Sequence, residues 1–221
     1  MARRRVAVLI SGRGSNLEAL LKAAESPSYP AEIALVISNR PNAPGLAHAE
    51  KRGIATIVID HKDFATRTAF EAALDEALRR AQIELICLAG FMRVLGSEFI
   101  SAWPDKILNI HPSLLPSFPG LRVQAQALQA GVKISGCTVH IVRPSLDDGP
   151  IIAQAAVPVL ENDDEAQLTA RILAAEHQLY PQALAVMARG EAIVRDNRVE
   201  IHTGSLLACA ENALFAPLIK E

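Results

Sequence analysis

Two polar side chains stand two residues apart at the end of an apolar run in the segment Ile107–Ser113. Asn109 and His111 fall on the same side of the predicted strand Ile107–Ile110, because side chains alternate along a strand. Ligands of open α/β sheets bind at the carboxyl ends of the strands, which is where this pair lies. An amide donor beside an imidazole can stabilise negative charge on a carbonyl oxygen and pass a proton. The alternative is structural, with both side chains bound to the backbone of the next loop.

An aspartate farther along the chain is a candidate partner for this imidazole. The segment Leu146–Pro150 joins two predicted strands and contains Asp147 and Asp148. A carboxylate close to His111 would favour the protonated imidazole, fix its tautomer and hold it in place. We choose Asp147 for this role. The same segment is also typical of an ordinary Asp-Gly turn, which needs no catalytic function.

A glycine-rich turn, Ser11–Leu17, follows the first predicted strand and leads into a helix. Free N–H groups and the positive end of the helix dipole favour an anion there, most simply a phosphate. Gly14, Ser15 and Asn16 would supply backbone N–H groups, with a hydroxyl and an amide alongside. A dinucleotide fingerprint needs a third glycine and an acidic residue after the second strand, and the chain has neither. The alternative is a tight turn without a ligand.

Short apolar runs alternate with helical patterns in the first half of the chain. Five runs predict strands, at Val6–Ile10, Ile33–Ser38, Ile54–Ile59, Leu85–Ala89 and Ile107–Ile110. Four segments predict helices, at Asn16–Ala24, Leu46–Arg52, Thr66–Ala81 and Ser97–Ala102. We expect Ser15 or Asn16 to cap the first helix. This alternation predicts an open, doubly wound α/β sheet that is mostly parallel.

The second half favours antiparallel strands. Its predicted elements are a short helix at Gln124–Gln129, strands at Lys133–Val142 and Ile151–Val159, a helix at Asp164–Arg189, and a hairpin at Ala192–Arg195 and Val199–His202. We expect the long helix to be interrupted near Pro181. The sequence of the tail after Thr203 indicates no role for it.

The strand type changes near residue 100, but no linker sequence separates the two halves. We therefore expect one domain, with a phosphate-binding half of about residues 1–110 and a second half of about 111–221.

Composition narrows the class of protein. Apolar residues make up 50% of the 221 positions and aromatic residues only 4%, so the core must be mostly aliphatic. A formal net charge of −2 argues against general nucleic-acid or membrane-surface binding, since both need a basic excess. The three cysteines are widely separated, and no set of His, Asp and Glu has metal spacing. We expect a cytoplasmic protein with small-molecule partners, as a monomer or a homodimer.

Four segments of the chain form a characteristic ordered set. They are Ser11–Leu17, Leu88–Arg93, Asn109–Pro116 and Leu146–Ile151. On these residues, in this order, the chain resembles the folate-dependent formyltransferases over about residues 5–195. The Gly-Ser-Asn-Leu run in the first segment is similar to that of its phosphoribosylglycinamide formyltransferases. The resemblance implies the Rossmann-like fold of the formyltransferases.

The resemblance also implies a role for each matched residue. Those implied to hold phosphoribosylglycinamide are Gly14, Ser15 and Asn16 at the phosphate and Glu176 at the ribose. Those implied to bind the folate are Arg67, Met92, Arg93, Val94, Leu95 and Asn109. The implied catalytic residues are Asn109 at the formyl oxygen, His111 as the acid and Asp147 as the carboxylate that favours its protonated form.

The implied reaction belongs to de novo purine biosynthesis. It moves the formyl group of the co-substrate 10-formyltetrahydrofolate directly to the amine of phosphoribosylglycinamide, through a tetrahedral intermediate and without a metal. The chain departs from the family pattern at Arg122, where histidine is usual, and at Arg143–Pro144, in a loop that is often acidic. The rival interpretations are a transfer-RNA formyltransferase, a formyltetrahydrofolate deformylase, and a phosphate- or nucleotide-binding module without catalysis.

Overall fold

The computed structural model describes residues 2–201 and the backbone of residues 208–210 and 213–216. The chain forms two compact units, residues 1–109 and residues 110–221. The division falls within one strand, β5 (Ile107–His111), so Asn109 is the last residue of the first unit and His111 belongs to the second.

The first unit is built on parallel strands. Besides β5 they are β1 (Arg4–Ile10), β2 (Ala31–Ser38), β3 (Ala55–Val58) and β4 (Leu85–Leu88), in the spatial order β5-β4-β1-β2-β3. The chain runs outward from β1 to β3 and then returns to β4 on the other side of β1. This reversal is the switch point at which doubly wound sheets bind ligands. The predicted mostly parallel α/β fold class is confirmed.

Helices connect these strands as the periodicity predicted. They are α1 (Ser15–Ala24), α2 (Leu46–Glu50), α3 (Arg67–Arg80) and α4 (Ser97–Ala102), with a single 3₁₀ turn at His61–Asp63. The side chain of Thr66 caps α3 by accepting a hydrogen bond from the Ala69 N–H at 3.1 Å. The expected capping of α1 by Ser15 or Asn16 is wrong. The N-cap residue is Gly14, whose φ of 75° lies in the left-handed region that glycine adopts without strain.

The second unit is antiparallel. Its elements are α5 (Val123–Gln129), β6 (Ile134–Ile141), β7 (Ile151–Pro158), α6 (Glu165–Arg189), β8 (Ala192–Arg195), β9 (Arg198–Ile201), β10 (Ala208–Ala210) and β11 (Ala213–Ala216). Within this unit the strand order is β10-β11-β7-β6, with antiparallel pairing at each step that joins them. Strands β8 and β9 form the predicted hairpin, with Asp196 and Asn197 at positive φ in its turn.

Two expectations for the second unit are corrected. Helix α6 is not interrupted, because it runs as one segment through Pro181. Asp164 and Gln167 form a capping box at its start, and its inner face packs on β6 and β7, so these contacts outweigh the lost backbone hydrogen bond. The tail also has a structural role, because β10 and β11 extend the sheet beside β7. His202 lies outside the described residues.

The core of the first unit is mostly aliphatic, as composition predicted. Strand β1 is buried continuously from Val6 to Ile10, which is the pattern of a strand covered on both faces. Among the described residues, no helix combines the length and the apolar character that crossing a membrane requires.

Candidate active site

The turn after β1 is shaped by contact between two glycine backbones. A Cβ atom on Gly14 would lie 2.8 Å from the Cα of Gly45, and one on Gly45 would lie 2.7 Å from Ile10 and 3.0 Å from the carbonyl oxygen of Gly12. No described side chain caps the start of α1. The N–H groups of its first turn are therefore not consumed by a capping side chain and can meet a ligand.

A pocket of about 270 Å³ opens at this turn, at the switch point of the sheet. It is lined by residues 11–16, Arg40, Ala89, Gly90 and Met92. The lining includes the predicted phosphate residues Gly14, Ser15 and Asn16 together with two arginines that the motif did not identify, Arg13 and Arg40. Among the residues that the structure describes, no carboxylate pairs with either guanidinium. An anion in this pocket would meet two uncompensated positive charges.

Ser11 connects the pocket to two other strands of the sheet. Its Oγ donates to Oδ1 of Asn39 at 2.5 Å and accepts from the N–H of Met92 at 2.7 Å. Ser11 and Asn39 are both buried. This short network ties together the segments that follow β1, β2 and β4, and it fixes one end of the loop that begins at Met92.

The predicted folate-binding residues lie in the first unit. In the loop after β4, the side chains of Met92 and Val94 are 58% and 60% exposed, Arg93 is exposed, and Leu95 is buried. Exposed apolar side chains held on a short loop are suited to contact with an aromatic ligand. Arg67 lies in the first turn of α3, and its side chain is more than half exposed.

His111 and Asp147 are brought together in the second unit. Nδ1 of His111 lies 3.5 Å from Oδ2 of Asp147, and Nε2 lies 3.0 Å from the carbonyl oxygen of Phe118. The side chains of His111 and Asp147 are only 6% and 8% exposed. Both ring nitrogens therefore face oxygen acceptors, so the doubly protonated imidazole can satisfy both contacts.

The carboxylate of Asp147 has two further contacts besides that with His111. The N–H of Gly120 donates to its Oδ2 at 2.9 Å, and Nε2 of His140 lies 3.8 Å from its Oδ1. Burial is the main cause that lowers the pKa of His140, which favours its neutral form. No sequence motif identifies His140 as a site residue, because its place beside Asp147 depends on the loop that follows β6.

Asn109 and Glu176 complete the predicted site residues. Asn109 is half-buried in β5 opposite Leu88 of β4, two residues before His111 in the same strand. Glu176 is buried within α6, and its charge is one cause of the raised pKa of the Cys137 thiol, after burial itself. Among residues 2–201, no group of three or more His, Cys, Asp or Glu side chains could hold a metal ion.

The structure also shows where the two departures from the family motif lie. Arg122 adopts a φ of 55° just before α5, and its exposed guanidinium lies 3.8 Å from Glu165. Arg143 and Pro144 follow β6 in the loop that carries Asp147. Neither departure removes His111 or Asp147 from their contacts.

The sequence profile of the formyl transferase family matches residues 4–184. This range includes the turn after β1, the loop after β4, and the residues His111 and Asp147. The chain therefore belongs to the formyl transferase family.

Two similar proteins indicate which group within the formyl transferase family the chain belongs to. The chain is 42% identical to phosphoribosylglycinamide formyltransferase of Bacillus subtilis (strain 168), in an alignment that covers 85% of this chain and 98% of that protein. A crystal structure of glycinamide ribonucleotide transformylase 1 from Symbiobacterium toebii matches with a TM-score of 0.88 and 49% identity, covering 90% of this chain and 94% of that one. Within the family, the chain belongs to the phosphoribosylglycinamide formyltransferases.

Some relatives are much longer proteins. The chain is 54% identical to the trifunctional purine biosynthetic protein adenosine-3 of Drosophila melanogaster over 87% of its own length. It spans only 14% of the length of that relative.

Proposed function

We propose that this protein transfers the formyl group of 10-formyltetrahydrofolate to the amine of phosphoribosylglycinamide. The observation that carries the proposal is the buried pair of His111 and Asp147 side chains, in which His111 follows Asn109 by two residues at the end of β5. An imidazole held between a carboxylate and a backbone carbonyl is a prealigned proton donor. Formyl transfer, the reaction for which the family is named, needs such a donor.

The pocket at the turn after β1 would bind the phosphate of the acceptor substrate. The N–H groups at the start of α1 and the side chains of Ser15 and Asn16 would donate to phosphate oxygens. Arg13 and Arg40 line the same pocket and would balance the charge of the phosphate. Glu176 is proposed to accept a hydrogen bond from a ribose hydroxyl.

The loop after β4 would hold the folate. The exposed apolar side chains of Met92 and Val94 offer a surface for the pterin ring, and Leu95 anchors the loop in the core. Arg67 and Arg93 are positive groups, and the glutamate tail of a folate is negative. These residues therefore suit both parts of the co-substrate.

The proposed chemistry is direct acyl transfer. The amine nitrogen of the glycinamide attacks the formyl carbon, and a tetrahedral intermediate forms with negative charge on the formyl oxygen. Asn109 donates to that oxygen and the protonated His111 stabilises its charge. The bond between the formyl carbon and N10 of the folate then breaks. The proton leaves the attacking nitrogen and reaches N10, with Asp147 and water as the relay.

One assay tests this function. Purified protein is mixed with 10-formyltetrahydrofolate and phosphoribosylglycinamide, the folate product is followed by its absorbance, and the other product is identified by mass spectrometry. We expect formylated phosphoribosylglycinamide in equal amount to the folate released. Free formate without acceptor consumption would instead indicate a deformylase, and formylated initiator transfer RNA would indicate a transfer-RNA formyltransferase. Stable ligand binding without any turnover would indicate a binding module.

A further inference from the structure

A carboxylate is buried on the inner face of α3, one turn after Arg67. The side chain of Glu71 is 8% exposed, and its neighbours on the same face, Phe70 and Leu74, are buried apolar residues. An apolar side chain at this position would pack without the cost of removing a charge from water. The carboxylate therefore requires an explanation other than filling the core.

Glu71 contacts the end of the loop that follows β4. Its Oε1 accepts a hydrogen bond from the N–H of Gly96 at 2.6 Å, in a buried setting. Gly96 is the residue immediately before α4, so this bond also fixes where that helix begins. A Cβ atom on Gly96 would lie only 2.8 Å from Oε2 of Glu71 and 3.3 Å from Nη2 of Arg67. The three groups are therefore packed against one another.

The same carboxylate is paired with Arg67. Nε of Arg67 lies 3.7 Å from Oε1 of Glu71, in an i,i+4 pair whose arginine is 56% exposed and whose glutamate is buried. Because the guanidinium of Arg67 is half exposed, its other N–H groups remain available to a ligand while the contact with Glu71 restricts the side chain. Glu71 thus restricts the one arginine of α3 that the folate is expected to meet.

The loop is consequently held at both ends. Met92 is fixed by Ser11 through its N–H, and Gly96 is fixed by Glu71 through its N–H. Between these two points the side chains of Arg93 and Val94 are exposed, whereas that of Leu95 is buried. A rigid frame around a short exposed segment lowers the entropy lost when a ligand orders it.

We propose that Glu71 is a positioning residue for the folate co-substrate. Its carboxylate sets both the direction of Arg67 and the path of residues 92–96, without touching the folate itself. The inference rests on the proposed function, because that function assigns Arg67 and this loop to the folate.

The substitution Glu71→Gln separates the two contacts. An amide oxygen can still accept from the Gly96 N–H, but the side chain no longer pairs with Arg67. We expect KM for 10-formyltetrahydrofolate to rise about tenfold, the usual scale for losing a charge-assisted contact. KM for phosphoribosylglycinamide and kcat should stay within about twofold of wild type, because the other site residues are untouched.

Glu76→Gln is the matched control. Glu76 lies on the same helix and makes the same type of i,i+4 pair, with Arg80 at 3.8 Å, but its side chain is 77% exposed. An exposed pair of this type contributes little, so this variant should match wild type in every constant. The affinity for tetrahydrofolate, measured by calorimetry, should fall for Glu71→Gln and remain unchanged for Glu76→Gln.

A double-mutant cycle with Arg67→Ala completes the test. If Glu71 acts through Arg67, adding Glu71→Gln to Arg67→Ala should raise the folate KM no further. Glu71→Ala, which also frees Gly96, should raise it in either background. The proposal is overturned if Glu71→Gln behaves as Glu76→Gln does, or if it lowers thermal stability while leaving both folate measurements unchanged. A wild-type protein without formyl transfer would instead refute the proposed function.

Discussion

The ligand-binding region of the first unit and the His111–Asp147 cluster of the second unit differ in how many of their groups already have partners. In the first, the pocket after β1 contains two guanidinium groups that have no carboxylate partner within the described part of the chain, and the loop after β4 exposes Met92 and Val94. In the second, His111 and Asp147 are buried and surrounded by groups that already contact them. The first arrangement leaves binding capacity open for ligands, whereas the second aligns a reactive group in advance.

This contrast indicates that the open region binds the substrates and that the closed cluster carries out the chemical step. A substitution in the open region should weaken the binding of one substrate and leave the chemical step intact. A substitution in the closed cluster should impair the chemical step and leave binding intact. The following experiments test that division, beginning with the largest expected effect.

Replacing His111 with alanine should lower kcat at least a hundredfold, the usual scale for loss of an acid or an oxyanion donor. The dissociation constant of tetrahydrofolate should change little, because the loop after β4 is not altered. Steady-state kinetics and calorimetry provide the two measurements.

His111→Gln is the companion variant. Its amide can still donate to the carbonyl oxygen of Phe118, but it carries no positive charge. We expect it to be as inactive as the alanine variant. An alanine variant within threefold of wild type would show that this imidazole takes no part in the reaction.

Asp147→Asn should lower kcat by a factor of about ten or more, since it removes a negative charge 3.5 Å from Nδ1 of His111. The amide oxygen can still accept from Gly120, so the loop should keep its shape. Without the anion Nδ1 of His111 loses its carboxylate partner, so the loss should fall on kcat rather than on either KM. The adjacent, exposed Asp148→Asn is the control, and equal kcat values for the two variants would remove the proposed role of Asp147.

Arg40→Ala should raise KM for phosphoribosylglycinamide about tenfold with kcat nearly unchanged, because it removes one positive charge from the pocket. The same variant should bind inorganic phosphate less well, which competition experiments would measure. With an acceptor substrate that lacks the phosphate, wild type and variant should have equal KM values. A similar loss with both acceptors would mean that Arg40 does not recognise the phosphate.

The smallest effect concerns stability in acid. Hydrogen bonding to Arg171 is the main cause that lowers the pKa of Asp163 to about 2, from its usual 3.8. Because the folded value is the lower one, the ionised carboxylate stabilises the fold above about pH 4, and this contribution is lost as the pH falls toward 2. Asp163→Asn should therefore lower the melting temperature by a few degrees at pH 6, and the difference should shrink in acid. A difference that is constant across this pH range would contradict the assignment.

Much of the fold could be predicted because it depends on local pattern. The continuous apolar run of β1 and the alternation of strands and helices determine a parallel α/β unit. The spacing of Asn109 and His111 likewise follows from the two-residue period of one strand. These features depend on neighbours in the chain, so they can be recognised without tertiary contacts.

Other features depend on contacts that no local pattern contains. His140 lies in an ordinary apolar strand, and its proximity to Asp147 comes from the conformation of the loop between β6 and β7. Pro181 normally ends a helix, but α6 continues because its apolar face is packed on the sheet. The bond between Glu71 and Gly96 joins residues 25 positions apart, and its partner is a backbone N–H that has no sequence signal.

The contact between Gly14 and Gly45 bears on how substrate preference could be changed. Because each glycine fills the space that a side chain on the other would need, the curvature of the turn is a joint property of two distant segments. Neither position has room for a Cβ atom, so we expect a library that randomises them to yield mostly distorted turns. Arg13 and Ser15, whose side chains lie beside the pocket but outside that contact, are the better positions for evolving acceptance of a different anion.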